Sequence, residues 1–519
     1  MSESYFNLTY LHKFASDAEF SGFCYTDRYY EPFVSTTYLG EEVDDRVDYN
    51  LRKRQKLLKE PLTFEILSDG VINWKTSNNG YTKSIQYSLD NGETWETITS
   101  NTNPTPISVT TGNIVKFIGD NGNYAESSTT YTYFDTTCQF NVYGNIMSLI
   151  DSDDYIFKKT LSDDYTFDGL FRGCSGLINA ENLILPATTL SQSCYENMFY
   201  ECTNLVTAPE LPAKILRSAC YYQMFYNCES LAKCPELPAT VLAKDCYYFM
   251  FRFCHSLKNI PKLPATDLAE GCYRYMFNRC CGLESVHLNL NTTIIPDDAC
   301  RGMFAYCSGI TEASGTILAE EIGERGCYSM FIGCSAMTKT IDSVGSNGCA
   351  IGISGCSTMF QGCSSLTKAP ELPATQIGAC GYLSMFYECE SLTSVQSTLP
   401  AMTLGKSCYR SMFSSCTNLV NVPMLPATTL VDECYMWMFN HTQIHELICL
   451  ATAITATDAV RSPLTDVPAN GTLYINPMSD ETSYNNLLNA WRTSTHIPEG
   501  GTEPVHDIPA SWSIEKYQS

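Results

Sequence analysis

The chain has 519 residues, well beyond the ~250–300 at which a single hydrophobic core stops growing, so one compact domain is excluded. Hydrophobic residues make up 44% and charged residues 17%, which excludes global disorder. With 32 Lys+Arg against 56 Asp+Glu the net charge is −24, which argues against a nucleic-acid partner, and no stretch approaches the ~18 apolar residues of a membrane span.

The start, Met1-Ser-Glu-Ser-Tyr, lacks the basic and then apolar order of a secretion signal. Residues 1–61 carry a dense aromatic set, Tyr5, Phe6, Tyr10, Phe14, Phe20, Phe23, Tyr29, Tyr30 and Phe33 among them. The segment is too short for a core of its own, so it is expected to pack on something else, as an attachment and homo-oligomerisation segment. An acidic stretch, Glu41 to Asp48, precedes basic Arg52 to Lys59, which predicts a short helix. Residues 62–143 alternate apolar and polar around Asp90-Asn-Gly, a hairpin signal, and six or more short strands there predict an Ig-like β-sandwich.

From Leu170-Phe171 to Met438-Phe439 a Met-Phe doublet or close relative recurs eleven times at intervals of 26 to 29 residues. That period predicts a solenoid over 144–448. In the unit Cys202 to Cys228, Leu205, Ala208 and Leu211 suit a very short strand before a Pro turn. Leu216, Cys220 and Met224, spaced i, i+4, i+8, suit a short helix. Neighbouring units must stack to bury these faces, with parallel strands ~4.8 Å apart. Spacing changes over Cys300 to Cys356, and Val344-Gly-Ser-Asn-Gly replaces the Leu-Pro turn, so a departure from regular coils is expected there. Residues 449–519, with Trp491 and Trp512, read as a C-terminal cap.

The run F-x-x-C-x-x-L, as in Phe199 to Leu205, is followed by a Leu-Pro pair and a second apolar segment. It resembles the BspA-like class of leucine-rich repeats, and the wording L-P-A-T-T-L, C-Y, M-F, C-T-N-L is similar to proteins of gut Bacteroidetes and their crAss-like phages. The resemblance covers about 165–445 and implies a non-enzymatic solenoid.

Twenty of the 26 cysteines form two columns, Cys194 to Cys434 before the doublet and Cys174 to Cys416 after it. No C-x-x-C is present, and a column that keeps the structural period reads as buried packing, with free thiols. Cys434, His441, His445 and Cys449 are the one ligand-like cluster, but His441-Thr-Gln-Ile-His445 lacks the Glu of H-E-x-x-H. Asp151-Ser-Asp-Asp and Ser162-Asp-Asp lack the calcium-loop Gly and Glu, and read as solvated turns. No catalytic residue, cofactor or metal site is expected.

Tyr200, Tyr222, Tyr226, Tyr248, Phe249, Tyr275, Tyr306 and Tyr387 stand beside the doublets. Packing on the next coil is the first expectation, and a ladder for stacking on sugars or docking protein is the second. The resemblance then implies a phage virion protein of head-fibre or tail-fibre type, assembled in the host cytoplasm. It would join other virion proteins through its N-terminal segment and present the solenoid to a host-surface glycan or protein. The alternatives are a bacterial surface adhesin without its leader and, more remotely, a glycan depolymerase.

Overall fold

The computed structural model describes residues 37–38, 41–42, 45–497 and 503–518. The anchor candidates Tyr5, Phe6, Tyr10, Phe14, Phe20, Phe23, Tyr29, Tyr30 and Phe33 lie outside the described residues. Among those described, the chain is mostly strand and turn, with α-helices only at Asp45–Lys59 and Glu481–Thr493. The expected short helix is thus the second half of a longer one.

The alternating segment folds as two sheets face to face. One has the order Ile107–Val109, Gly70–Thr76, Thr130–Thr136, Ala125–Ser127. The other runs Leu177–Ile184, Phe140–Asn145, Leu62–Ile66, Ile114–Ile118, Ser84–Ser88, Glu96–Thr99. Alternation puts Phe64, Trp74, Phe117, Phe134 and Phe140 in the core with no exposure. Ser84–Ser88 and Glu96–Thr99 form the expected hairpin, closed by Asn91 and Gly92 at positive φ.

Leu177–Ile184 comes from the first repeat, yet it pairs in parallel with Phe140–Asn145. The sandwich and solenoid therefore share a sheet across residues 143 and 144. They share a core as well: Phe134 stacks on Phe171 at 5.7 Å, and Phe134 N–H donates to Leu170 O. The sandwich thereby covers the first coil, as a solenoid end requires.

Beyond Phe171 the rings of Phe199, Phe225, Phe251, Phe277, Phe304, Phe331, Phe360, Phe386, Phe413 and Phe439 stack one per coil. Centroids are 5.2 to 5.7 Å apart and planes within 13°. The ring stack passes through Cys300 to Cys356 unbroken, and the expected departure lies outside it, at the turn where Gly345 and Gly348 take positive φ.

The short helix expected in each unit is absent from the described repeats. The segment Ser193 to Cys202 is instead a ribbon of tight turns. N–H groups of Glu196, Met198, Tyr200 and Cys202 close turns on the carbonyls of Ser193, Tyr195, Asn197 and Phe199. The alternate N–H groups, on Tyr195, Asn197, Phe199 and Glu201, donate to Cys220, Tyr222, Met224 and Tyr226 of the next coil. Every backbone group of the ribbon is satisfied, half locally and half by the neighbour. The geometry needs a positive φ every fourth residue, at Ser193, Asn197 and Glu201, then Ala219, Gln223 and Asn227, and so on. Tyr, Cys and Phe are modest helix formers, so little opposes this alternative. The pattern continues through Asp458, Ser462 and Asp466, beyond residue 449. A parallel sheet of Glu446–Cys449, Thr472–Ile475 and Ser513–Lys516, with Trp491 buried on helix Glu481–Thr493, covers the last coil.

Stacking resolves the cysteine columns differently from their spacing. Cys194, Cys220, Cys246, Cys272, Cys408 and Cys434 each stand four residues after a Leu. In the middle coils the residue four earlier is Ile295, Ile322, Ile351 or Ile377, and this place holds Ala299, Gly326, Gly355 or Gly381. A Cβ on Gly326, Gly355 or Gly381 would lie 2.9, 2.8 or 2.5 Å from the Cγ2 of its own coil's isoleucine. The β-branch therefore forces the small residue. Cys300, Cys327 and Cys356 shift by one place into the column otherwise filled by Tyr195, Tyr221, Tyr247, Tyr273, Tyr382, Tyr409 and Tyr435. Cys380 leaves the core altogether for a positive-φ position.

Candidate functional site

The outward side of the ribbons carries the solenoid's unusual surface. Ring positions are set by the turns: residues just before or at a positive-φ position point away from the Met-Phe core. Tyr200 stacks on Tyr226 at 4.7 Å, Phe249 on Tyr275 at 5.4 Å and on Tyr248 at 4.1 Å. Tyr222 meets Tyr248 edge-on at 5.1 Å. Seven of the eight sequence candidates thus come together in one face, each half-buried by its neighbours except Tyr306, which is 46% exposed. Tyr387 sits on a distant coil and has no ring contact with this group among the described residues. Phe253 and Tyr328 belong to the face and were not among the candidates.

The sequence reading missed the cations. The ribbons contain eight of the chain's 14 arginines but, at Lys244 and Lys406, only two of its 18 lysines. Arg172 lies over Tyr200 at 4.4 Å, Arg252 over Phe249 and Phe253 at 4.7 Å each, Arg274 over Tyr248 at 4.9 Å. Arg279 covers Tyr306 at 5.1 Å and Arg301 covers Tyr328 at 5.3 Å. A planar guanidinium can lie flat on a ring and keep its edge donors free, which suits arginine to these places. Asp298 pairs with Arg274, Arg301 and Arg325. Arg252 and Arg279 have no carboxylate within 4 Å among the described residues. Burial raises the phenols of Tyr200 and Tyr248 and pushes Tyr222 up to about 12, so the rings stay neutral and the face's charge is that of its arginines.

One cluster has the residue types of a hydrolase. Ser462 Oγ lies 2.8 Å from His496 Nε2, and His496 Nδ1 lies 2.8 Å from Asp507 Oδ1. Ser462 Oγ is also only 3.3 Å from Nδ1. Reach to both nitrogens places the hydroxyl against the ring rather than along the Nε2 lone pair, so the imidazole is not aligned to take its proton. Asp507 accepts as well from Ser462 N–H at 2.9 Å and Ser494 Oγ at 2.5 Å. The group clamps the C-terminal cap to the last ribbon.

The other candidates disperse. His441 Nδ1 faces Asp466 at 3.3 Å, His445 Nδ1 faces Asn470 O at 2.8 Å, and Cys434 is buried in its column. No three potential metal ligands converge among the described residues. Asp151 accepts from Asp154 N–H at 2.8 Å and pairs with Lys158, as a turn. A groove of about 870 Å³ lies between helix Asp45–Lys59 and the Leu-Pro segments. Its lining cations, Lys53, Arg54, Lys159, Lys214 and Lys233, outnumber Glu181, Glu210 and Glu236, and Arg54 pairs with Glu210 across it.

All ten thiols of the second column donate to a carbonyl of the preceding layer. Cys174 reaches Phe134 O at 2.8 Å, Cys202 reaches Phe171 O and Cys228 reaches Phe199 O at 3.1 Å, and the series continues to Cys416 on Phe386 O. None of the described cysteines is bridged. No described helix is long and apolar enough to cross a membrane.

The chain matches a BspA type leucine rich repeat region, in six copies, over residues 167–311, 221–348 and 354–458. No curated protein matches it. Among solved structures it is similar to a leucine-rich repeat protein from Bacteroides ovatus ATCC 8483, with 16% identity, 69% of this chain and 87% of that one covered, and a TM-score of 0.30. A leucine-rich repeat protein of T. pallidum shows 19% identity, 45% and 82% coverage and a TM-score of 0.24. A leucine rich cell surface protein from Faecalibacterium prausnitzii A2-165 shows 16% identity, 54% and 83% coverage and a TM-score of 0.23. With the family's repeat spanning more than half of its length, the chain belongs to the BspA-type leucine-rich repeat proteins.

Proposed function

We propose that the protein is a non-enzymatic binding protein whose ligand surface is the ring- and arginine-lined face of the turn ribbons. One observation carries this. Phe249, Phe253, Tyr275, Tyr306 and Trp437 hold φ of 56, 64, 50, 60 and 57°, a conformation that costs an L-residue about 1–2 kcal/mol. Other coils fill the same places with Gly302, Gly333 and Gly362 at no such cost, with the tolerant Asn197 and Asn227, or with Gln223, Thr358 and Glu388, none of them a ring. Folding alone does not call for bulky rings there, and strain of this kind marks sites of function.

Replacing Phe249 and Tyr275 together by Asn tests the reading. Relief of backbone strain offsets the ~0.5–1.5 kcal/mol of lost ring stacking per pair, so thermal stability should change little. Retention of the labelled protein on gut Bacteroidetes cells should fall to background. A double variant that coats cells as well as the parent would refute the assignment.

For the setting we favour a phage virion, with the protein as a fibre-type component attached through residues 1–61. Twenty-odd buried, unbridged thiols suit assembly in a reducing cytoplasm. A bacterial surface adhesin is the alternative. Detection of the protein in purified particles supports the first, and detection on the surface of uninfected cells supports the second.

A further inference from the structure

Resting on the binding face proposed above, we infer its ligand class: a carboxylate-bearing polysaccharide, a polyuronate, laid along the solenoid axis across the coils of Phe251, Phe277 and Phe304. Arg172, Arg252 and Arg279 are the face's cations with no carboxylate within 4 Å among the described residues, and the last two stand on adjacent coils. Arg279 is exposed and held between Phe253 at 5.9 Å and Tyr306 at 5.1 Å, with its guanidinium edge left to bind. An arginine so fixed presents a planar fork suited to a carboxylate, while the edges of the adjoining rings, whose faces are taken up by one another and by the arginines, lie against the sugars. The net charge of −24 does not forbid this, because charges beyond a Debye length of ~8 Å are largely screened.

Spacing separates a glycan from an acidic peptide. The ladder advances 4.7 Å from Tyr200 to Tyr226 and 5.4 Å from Phe249 to Tyr275. Side chains on one side of an extended peptide recur every ~6.6 Å and would lose register within a few coils. An extended chain of linked pyranoses advances by about one coil per sugar and keeps it.

The test measures binding of the full chain to polygalacturonate, alginate, chondroitin sulfate, neutral dextran and poly-glutamate. Cys281 supplies a second readout: it is the exposed cysteine among those described, with Sγ 3.6 Å from Arg279 O and 3.7 Å from Tyr306 O. Bound ligand should slow its alkylation. We expect binding to the polyuronates that weakens with salt, falls about ten-fold or more in Arg279→Gln, and falls less in Arg279→Lys. Preference for the sulfated chain, equal and salt-insensitive binding to dextran, or preference for poly-glutamate would each overturn the polyuronate assignment. In those cases the binding face stands as long as the Phe249→Asn, Tyr275→Asn protein loses its hold on cells. Binding to none of the five would also overturn the assignment, and only an unimpaired double variant would take the face with it.

Discussion

Cys228 shows what a thiol adds beyond its volume. Its Sγ donates to Phe199 O of the preceding coil, a carbonyl that accepts the turn bond from Cys202 N–H on one lone pair and the thiol on the other. If the column only filled space, Val would replace Cys well. Because it is a column of donors, Cys228→Ser should be tolerated better than Cys228→Val, with Cys228→Ala costing about 1 kcal/mol. Chemical denaturation of the three variants gives the order, and Val above Ser would restore the packing-only account. Asp168 presents the opposite case. It is fully buried beside Glu196, its Oδ2 has no partner, and burial followed by the Glu196 charge raises its carboxyl well above the ordinary value. A raised carboxyl contributes fully below its unfolded pKa of ~4 and loses that contribution as pH rises through the folded value. Asp168→Asn should therefore raise the melting temperature at pH 7 and have a shrinking effect toward pH 4. A gain that persists unchanged at pH 4 would point to packing instead.

At the scale of the element, the coupling of Ile with Gly and of Leu with Cys makes a double-mutant prediction. Gly355→Cys places a Cβ 2.8 Å from Ile351 Cγ2 and should cost about 1–3 kcal/mol by overpacking. Adding Ile351→Leu removes that methyl and should recover much of the loss, a coupling readable from denaturation of the four proteins. Simple additivity would dismiss the steric explanation. The same elements show where the sequence could be read and where it could not. The repeat and the hairpin at Asp90 were legible because each is signalled by local spacing. The ribbon was not, because i, i+4, i+8 over two turns fits both a 3.6-residue helix and a run of four-residue turns. The deciding signal lay in the residues between, where Gly, Asn, Asp and Ser recur every fourth place, as at Ser407, Ser411 and Ser415. The rings of the outward face were legible by type. Their arginine partners were not, since Arg252 meets Tyr226 and Arg279 meets Phe253 only after coils stack.

For the whole molecule, the phenylalanine stack joins what the sequence divides. Phe134 of the sandwich begins it, and eleven repeat rings continue it to Phe439. Phe225→Ala should cost about 3–5 kcal/mol and, since each coil touches only its neighbours, should fray the coils beside it. Hydrogen exchange should rise first at residues 193–254, with protection in Gly70–Thr76 largely kept. Phe171→Ala should differ, loosening Thr130–Thr136 along with the first coils. Indistinguishable exchange maps for the two variants would argue that the stack transmits nothing between sandwich and solenoid.

The alternate hydrogen bonds of the ribbons also give the molecule an electrical direction. Each peptide that accepts at its carbonyl from the preceding coil donates from its N–H to the following one. One such line starts at Gly169 N–H and passes through Asn197, Gln223, Phe249, Tyr275, Gly302, Ser329, Thr358, Ser384, Ser411 and Trp437 to Ser462. Peptide dipoles aligned head to tail add, as they do in an α-helix, to about half a positive charge where the N–H groups end. Here that end is Ser462 N–H, and it is met by the buried carboxylate of Asp507. The clamp at the cap is therefore the electrostatic terminus of a line that spans the solenoid. Insertion or loss of whole coils would lengthen or shorten the line without altering the charge at either end, so the number of repeats can change while the cap stays matched.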